Sequence, residues 1–246
     1  MALVIGDIHG RIDKVEAFLT YKPEEQHIFT GDYVDSFVQS DNIIYQTLKL
    51  VIESNAVLLW GNHDIHYLSR APFRCSGYRQ YMAKSIRDIF EVFGHRFIPV
   101  ITIDGFIITH AGVTQGLADD LNFSMRVTEA TFEIHQSIIE DEWAKYQNPD
   151  NFPRDGKESP IFNIPKARGG IDKFGGIFWA DYRDEQYYKI PQVFGHSKTI
   201  DGGILKVEYI PGSDHWALGC DDNKFECFNT KTGEVEVFGE QPRDAA

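Results

Sequence analysis

Cysteine is scarce in this chain. Cys75, Cys220 and Cys227 are the only three in 246 residues, and no two stand in CxxC spacing. An odd, scattered set of thiols builds neither a disulfide framework nor a thiolate zinc site, so reduced, structural cysteines are expected. Basic charge is also short: 24 Lys and Arg face 37 Asp and Glu, a formal net charge of -13. The average surface therefore repels nucleic-acid backbone and anionic membranes. No positively charged leader precedes an apolar stretch, no apolar run approaches membrane-spanning length, and there is no internal repeat or low-complexity tract. The chain opens directly into Ala2-Leu3-Val4-Ile5, which has the composition of a core strand. A cytoplasmic protein is expected, with no membrane and no nucleic-acid backbone among its partners.

What is present is ordinary for a folded protein: 42% apolar and 25% charged residues, enough to bury a full core. The N-terminal half repeats one pattern, a short β-rich run, a polar loop, then a helical stretch. Leu3-Val4-Ile5, His27 to Thr30 and Ala56 to Trp60 are the strands, and helices are expected around Lys14 to Tyr21 and Asn42 to Ser54. This is βαβαβ and predicts a largely parallel sheet. Tyr78 to Val92 is again helical in pattern, Ile98 to Ile108 contains two strands around the turn Asp104-Gly105, and Gly116 to Tyr146 is mainly helical. Asn148 to Gly176 is rich in Pro and Gly, and is expected to form a long irregular loop over a functional site. Residues 204 to 238 alternate as β-hairpins, with turns at Pro211-Gly212, Asp221-Asp222-Asn223 and Thr232-Gly233. One domain spanning 1–246 is the expected organisation.

The chemistry lies in five segments that follow strands: Gly6-Asp7-Ile8-His9-Gly10, Gly31-Asp32-Tyr33-Val34-Asp35, Gly61-Asn62-His63-Asp64, Thr109-His110-Ala111-Gly112 and Gly195-His196. Each sets a carboxylate, imidazole or amide beside a glycine that lets the backbone turn sharply. One such loop alone is more often a capping or turn arrangement than a metal site. The spacing changes that reading, because Asp7 to Asp32 is 25 residues and Asp32 to Asn62 is 30, each one βα unit. Consecutive parallel strands then deliver all three to one edge, where ligand sites of open α/β sheets lie.

The set resembles the calcineurin-like metallophosphoesterase superfamily, specifically its phosphoprotein-phosphatase branch, and the resemblance runs from residue 6 to 196. It implies a four-layer α/β/β/α sandwich with two mixed sheets, a more specific architecture than the parallel sheet read from pattern. It also implies two divalent metal ions. Asp7, His9 and Asp32 would hold the first, Asp32, Asn62, His110 and His196 the second, with Asp32 as bridge. Such N and O ligands suit Mn, Fe, Zn or Ni better than Ca. The implied reaction is attack on a phosphate ester by a hydroxide that the two cations generate and hold, with phosphate oxygens clamped beside it. His63 would be the general acid that protonates the leaving alkoxide, and Asp35 would hold its tautomer and orientation. His27, His66, His95, His135 and His215 stand in no motif and are taken as surface or satisfied core residues.

The family pattern continues with Arg-Gly after Asp35, whereas this chain has Ser36-Phe37, and Trp60 stands where many relatives place Arg. Either another Arg substitutes or phosphate binding is weaker. Arg183, just after Phe178-Trp179-Ala180-Asp181, is the first candidate and Arg168 the second. The Gly-His-x-His ending of other metallophosphoesterases is missing, since Ser197-Lys198 follows His196. The leading expectation is a metal-dependent phosphatase of phosphoproteins or small phosphoesters. Its rivals are a nucleotide hydrolase of the diadenosine tetraphosphatase kind and a non-catalytic scaffold. The scaffold is disfavoured because all six expected ligands and His63 are present.

Overall fold

The computed structural model describes residues 1–123, 128–147, 159–183, 186–199, 203–206, 215–218 and 224–239. The strands of the first half, β1 (Ala2–Ile5), β2 (Gln26–Phe29), β3 (Val57–Leu59) and β4 (Phe97–Ile98), run parallel. Helices make the crossovers: α1 (Ile12–Thr20), α2 (Asp41–Glu53), then α3 (Asn62–Ile65) and α4 (Ala83–Phe93) between β3 and β4. Late in the chain come β10 (Glu226–Asn229), antiparallel to β1, and β11 (Glu234–Val237), which turns back through Thr232-Gly233. They complete a six-stranded sheet of order β11-β10-β1-β2-β3-β4.

The second sheet holds β5 (Ile101–Ile103), β6 (Phe106–Thr109), β7 (Gln192–Phe194), β8 (Leu205–Lys206) and β9 (His215–Ala217) in the order β5-β6-β7-β9-β8. β6, β7 and β9 are parallel, with β5 and β8 antiparallel at the edges. The β5–β6 hairpin turns at Asp104-Gly105, both at positive φ (50° and 80°), as a tight hairpin whose twist matches its strands requires.

Strand alternation explains how the layers stack. Ala2, Val4, Ile28 and Leu59 cluster with Ile108 and Val193 of the second sheet. Their neighbours Leu3, Ile5, Phe29 and Leu58 join Val15 and Phe18 of α1 and Leu48 and Val51 of α2. On the other side of the molecule, Ile107 meets Ile139 and Trp143 of α6 (Glu129–Gln147). The result is helix, sheet, sheet, helix, both sheets mixed, as expected.

Two helix boundaries differ from the sequence pattern. The helical pattern from Tyr78 becomes a helix only at Ala83, because Tyr78 stacks on Tyr67 at 4.9 Å and the Arg79 backbone N–H donates to the Tyr67 hydroxyl. The 116–146 stretch holds two helices, α5 (Gln115–Asp120) and α6, with residues 124–127 between them outside the described set. Of the expected loop, residues 148–158 also lie outside it. Residues 159–176 are irregular, with two short 3₁₀ turns at Pro160–Phe162 and Lys166–Arg168. The expected turns at 211–212 and 221–223, and Cys220, fall outside the described residues as well.

Candidate metal centre

Each expected ligand stands just beyond a strand's carboxyl end: Asp7 and His9 after β1, Asp32 after β2, Asn62 after β3, His110 after β6 and His196 after β7. The loops are tied to one another. His9 N–H donates to the Asp32 carbonyl at 2.7 Å, and Gly195 N–H to the His110 carbonyl at 2.7 Å. A Cβ on Gly61 would lie 2.2 Å from Asp32 Oδ1 and 2.3 Å from its backbone nitrogen, so only glycine permits this approach. His9, Asp32, Asp35 and His196 all adopt positive φ, between 46° and 68°. Strain of this kind in non-glycine residues persists only where the surroundings enforce it, and it gathers at functional sites.

The carboxylates are half occupied by backbone donors. Asp32 Oδ1 accepts the His63 N–H and Asp7 Oδ1 the His196 N–H, both at 2.9 Å. Asp32 Oδ2 is left central, 3.7 Å from His9 Nε2 and 3.6 Å from His110 Nε2. His9 Nδ1 donates to the Asp35 carbonyl at 2.9 Å, which turns its Nε2 lone pair toward Asp32 and toward Asp7 Oδ2 at 3.9 Å. His110 Nδ1 likewise donates to the Thr30 carbonyl, so its Nε2 lone pair faces Asn62 Oδ1 at 2.8 Å. Asn62 Nδ2 donates outward to Cys75 Sγ, which fixes Oδ1 inward. His196 closes the group with Nδ1 3.1 Å from both Asn62 Oδ1 and His110 Nε2, and its buried Nε2 has no hydrogen-bond partner among the described residues.

Acceptors therefore face acceptors, an arrangement that a cation reconciles. Burial, with the Asp7 and Asp64 charges adding, pushes the Asp32 carboxyl well above its ordinary range. Burial pushes His110 down to about 4, and burial with His110 and Arg168 nearby takes His196 well below the ordinary value, so both rings are neutral and keep their lone pairs. Two groups, Asp7 with His9 and Asp32, and Asp32 with His110 and His196, each bring ligand atoms within 4.8 Å. They share Asp32, and the residues fit a pair of divalent cations.

Beside this centre His63 Nδ1 donates to Asp35 Oδ2 at 2.9 Å. Burial lowers the His63 pKa against the pull of that hydrogen bond. For Asp35, burial raises the pKa, but hydrogen bonds from His63, His66 and Tyr67 outweigh it and hold the carboxyl below its usual value.

A family model, calcineurin-like phosphoesterase, matches residues 2–198, a span that holds every residue of this constellation. The chain belongs to the calcineurin-like phosphoesterase family. It is 31% identical over 124 residues to serine/threonine-protein phosphatase with EF-hands 2 from Homo sapiens, covering 45% of this chain but only 16% of that relative's length. A solved structure of a proposed diadenosine tetraphosphatase covers 97% of this chain and 93% of its own at TM-score 0.50 and 18% identity, a likeness of fold. A serine/threonine phosphatase structure from Saccharomyces cerevisiae covers 90% of this chain and 67% of its own, at TM-score 0.47 and 15% identity.

In this calcineurin-like phosphoesterase the centre lies at the floor of a cleft of about 370 Å³ that Ser36, Phe37, Val38, Trp179, Arg168, Arg183 and Lys198 also line. Arg168 and Arg183 converge on one buried carboxylate: Arg168 Nε lies 2.9 Å and Arg183 Nη2 2.6 Å from Asp181 Oδ2. Arg168 Nη2 also donates to Ser197 Oγ at 2.8 Å.

Asp64 ends the Gly61-Asn62-His63-Asp64 motif, and no sequence signal distinguishes its role from that of a solvated loop carboxylate. Buried, Asp64 accepts backbone N–H bonds from Asp32 and Gly61 on Oδ2 and from Tyr33 and Val34 on Oδ1, and so fixes the loop that carries Asp32. Burial still raises its carboxyl to about 7. Four of the histidines set aside earlier have described side chains. His27 is a satisfied core residue that donates through Nε2 to the Tyr21 carbonyl at 2.9 Å, and His95 is exposed. His135 is buried and stacked on Phe123, but neither ring nitrogen has a hydrogen-bond partner among the described residues. The expectation that it is satisfied is therefore corrected. His66 is fully buried and its Nε2 lies 2.7 Å from Asp35 Oδ2, which ties it to the site.

Proposed function

We propose that the chain is a metal-dependent phosphatase that hydrolyses phosphate monoesters, of phosphoprotein or small-molecule origin. The observation that carries this is the ring of inward-facing acceptors around Asp32 Oδ2 with the His63–Asp35 pair at its side. Asp7, His9 and Asp32 would hold one divalent cation and Asp32, Asn62, His110 and His196 the other, manganese first, with iron, zinc or nickel as alternatives. When bound, such a pair neutralises phosphate oxygens and acidifies water at neutral pH.

The chain's own residues do the rest. As a hydroxide oxygen bonds to phosphorus and the bond from phosphorus to the leaving oxygen breaks, His63 in its protonated form would give its Nε2 proton to the leaving alkoxide, and would be recharged by the proton that the next water gives up in becoming hydroxide. Asp35, on Nδ1, stabilises the imidazolium and fixes its plane. Arg183 and Arg168, held by Asp181, bind the phosphate oxygens that the cations leave free. A single domain over 1–246 in the cytoplasm fits this reading, and no described helix is long and apolar enough to cross a membrane.

One feature favours a second substrate class. Phe37 is 85% exposed and lines the same cleft as Arg168, Arg183 and Lys198, and an aromatic side chain in a cleft with extra positive charge suits a dinucleoside polyphosphate such as diadenosine tetraphosphate. Purified protein with manganese, EDTA-treated protein and His63→Ala should be compared on p-nitrophenyl phosphate, a phosphoserine peptide and diadenosine tetraphosphate. Metal-dependent release of phosphate from the peptide that falls about a hundredfold or more in His63→Ala supports the monoesterase. Nucleotide release with the peptide ignored supports the second class, and absence of both turnover and bound metal leaves the scaffold.

A further inference from the structure

His63, His66 and Cys75 each offer a ligand atom within 4.8 Å of the others, which on composition alone would read as a third metal site. The tautomer of His66 excludes it. The Cys75 backbone N–H donates to His66 Nδ1 at 3.0 Å, so Nδ1 must carry the lone pair and Nε2 the proton. A cation on Nε2 would force that proton to Nδ1, setting two N–H groups against each other in a fully buried position. The protonated Nε2 instead lies 2.7 Å from Asp35 Oδ2, the same oxygen that His63 Nδ1 reaches at 2.9 Å. The His66 contact is short but off-axis, a geometry that tightens in many sites when substrate binds. On the other oxygen, Oδ1, the Tyr67 hydroxyl donates at 2.5 Å, and the Arg79 backbone N–H in turn donates to that hydroxyl at 3.0 Å.

We propose that His66 and Tyr67 are positioning residues that lock the Asp35 carboxylate in the one plane from which it can orient His63 for proton delivery to the leaving group. This rests on the reading of His63 as general acid. Asp35 stands at positive φ in a loop, and among the described residues His63, His66 and Tyr67 are the groups that define its side-chain torsion. His66 and Tyr67, both fully buried, approach from the segment after α3, and neither is among the residues that line the cleft. The segment that follows, through the Cys75 and Arg79 backbone N–H groups, sets the acceptor and donor roles of both grips. Nothing in this grip touches a phosphate ester, so its loss should be felt only in steps that need His63 as an acid.

Leaving-group chemistry tests this. A p-nitrophenolate departs without protonation, whereas an alkoxide such as that of a phosphoserine peptide needs the proton. The measured quantity is the ratio of kcat on the peptide to kcat on p-nitrophenyl phosphate, with manganese saturating. His66→Asn keeps an acceptor for the Cys75 N–H but cannot reach Asp35, and His66→Gln places an amide N–H near the Nε2 position. The ratio should fall about tenfold in His66→Asn, a typical loss for an orienting group one step from the reacting atoms, and recover to within about threefold in His66→Gln. Tyr67→Phe keeps the ring that stacks on Tyr78 and should lower the ratio in the same direction, which keeps the test alive if a His66 variant does not fold. An unchanged ratio in both His66→Asn and Tyr67→Phe, with His63→Ala still lowering it, overturns the proposal while leaving the general acid standing. Equal losses on both substrates would also overturn it, since they mark a merely structural role. A ratio unmoved in His63→Ala removes the general acid, and the proposal with it.

Discussion

Replacing Cys75 by alanine should weaken metal binding without touching a metal ligand. Cys75 Sγ accepts the Asn62 Nδ2 hydrogen at 3.2 Å and lies 3.3 Å from the Asn62 carbonyl, to which its S–H donates. Among the described residues, the Asn62 Nδ2 bond to Cys75 sets which end of the amide faces His110 and His196, because an amide's two ends are nearly the same shape. A hydrogen bond of this kind contributes about 1 kcal/mol, which at equilibrium is about a fivefold preference for the competent orientation. Groups that orient metal ligands commonly raise the effect to tenfold or more when they are removed. Cys75→Ala should therefore weaken manganese binding at the Asn62 side by about fivefold to tenfold, read by calorimetric titration of EDTA-stripped protein. At saturating metal, kcat should stay close to wild type. Cys75→Ser, which keeps a donor and an acceptor at the same place, should bind metal more nearly as wild type does. If Cys75→Ala binds manganese like wild type, or Cys75→Ser loses as much as Cys75→Ala, the orienting argument is wrong. Burial raises the Cys75 thiol well above its usual range, so an effect through thiolate chemistry is not a competing explanation.

Other outcomes follow from the same geometry. Asp181→Asn removes the charge that gathers Arg168 and Arg183, and KM for phosphate esters should rise about tenfold while kcat changes less. Although burial raises the Asp181 pKa, hydrogen bonds from Arg183 and the Arg168 charge outweigh it and hold the folded value below 3.8. Its ion pairs therefore contribute stability above about pH 4 that is lost as pH falls through the lowered value. The stability gap between wild type and Asp181→Asn should shrink on acidification in urea melts. Phe37→Ala should raise KM for aryl phosphates or nucleotides by about fivefold, the contribution of one aromatic contact, and leave a phosphoserine peptide unaffected; equal effects on both would count against a stacking lip. Gly112→Ala would place a Cβ 2.1 Å from the Tyr187 ring at a φ of 92°, and should destabilise the fold by about 3 kcal/mol or more in a denaturant melt. Little or no change would mean that the loop after β6 is softer than it looks.

The first-half strands and the ligand-bearing loops were legible in the sequence because their signals are local. A short apolar run followed by Gly-Asp or Gly-Asn at intervals of one βα unit identifies both the strand and the edge at which its loop emerges. The start of α4 was not legible, since the helical pattern from Tyr78 to Met82 gives way to a tertiary contact, the Tyr78 ring against Tyr67. Arg183 and Arg168 could be nominated from residue type and position, but their convergence on Asp181 could not, since Asp181 and Arg168 meet only through the fold.

Asp64, His66, Tyr67 and Cys75 mark the boundary most sharply. By itself, the sequence nominated the residues that could bind a cation and the imidazole beside them, through loop motifs that resemble those of the family. Only the tertiary structure decided what holds those atoms in place. Whether a buried carboxylate accepts four backbone N–H bonds or an unassigned histidine reaches Asp35 depends on the direction of single donors, and direction is fixed by packing between segments far apart in the chain.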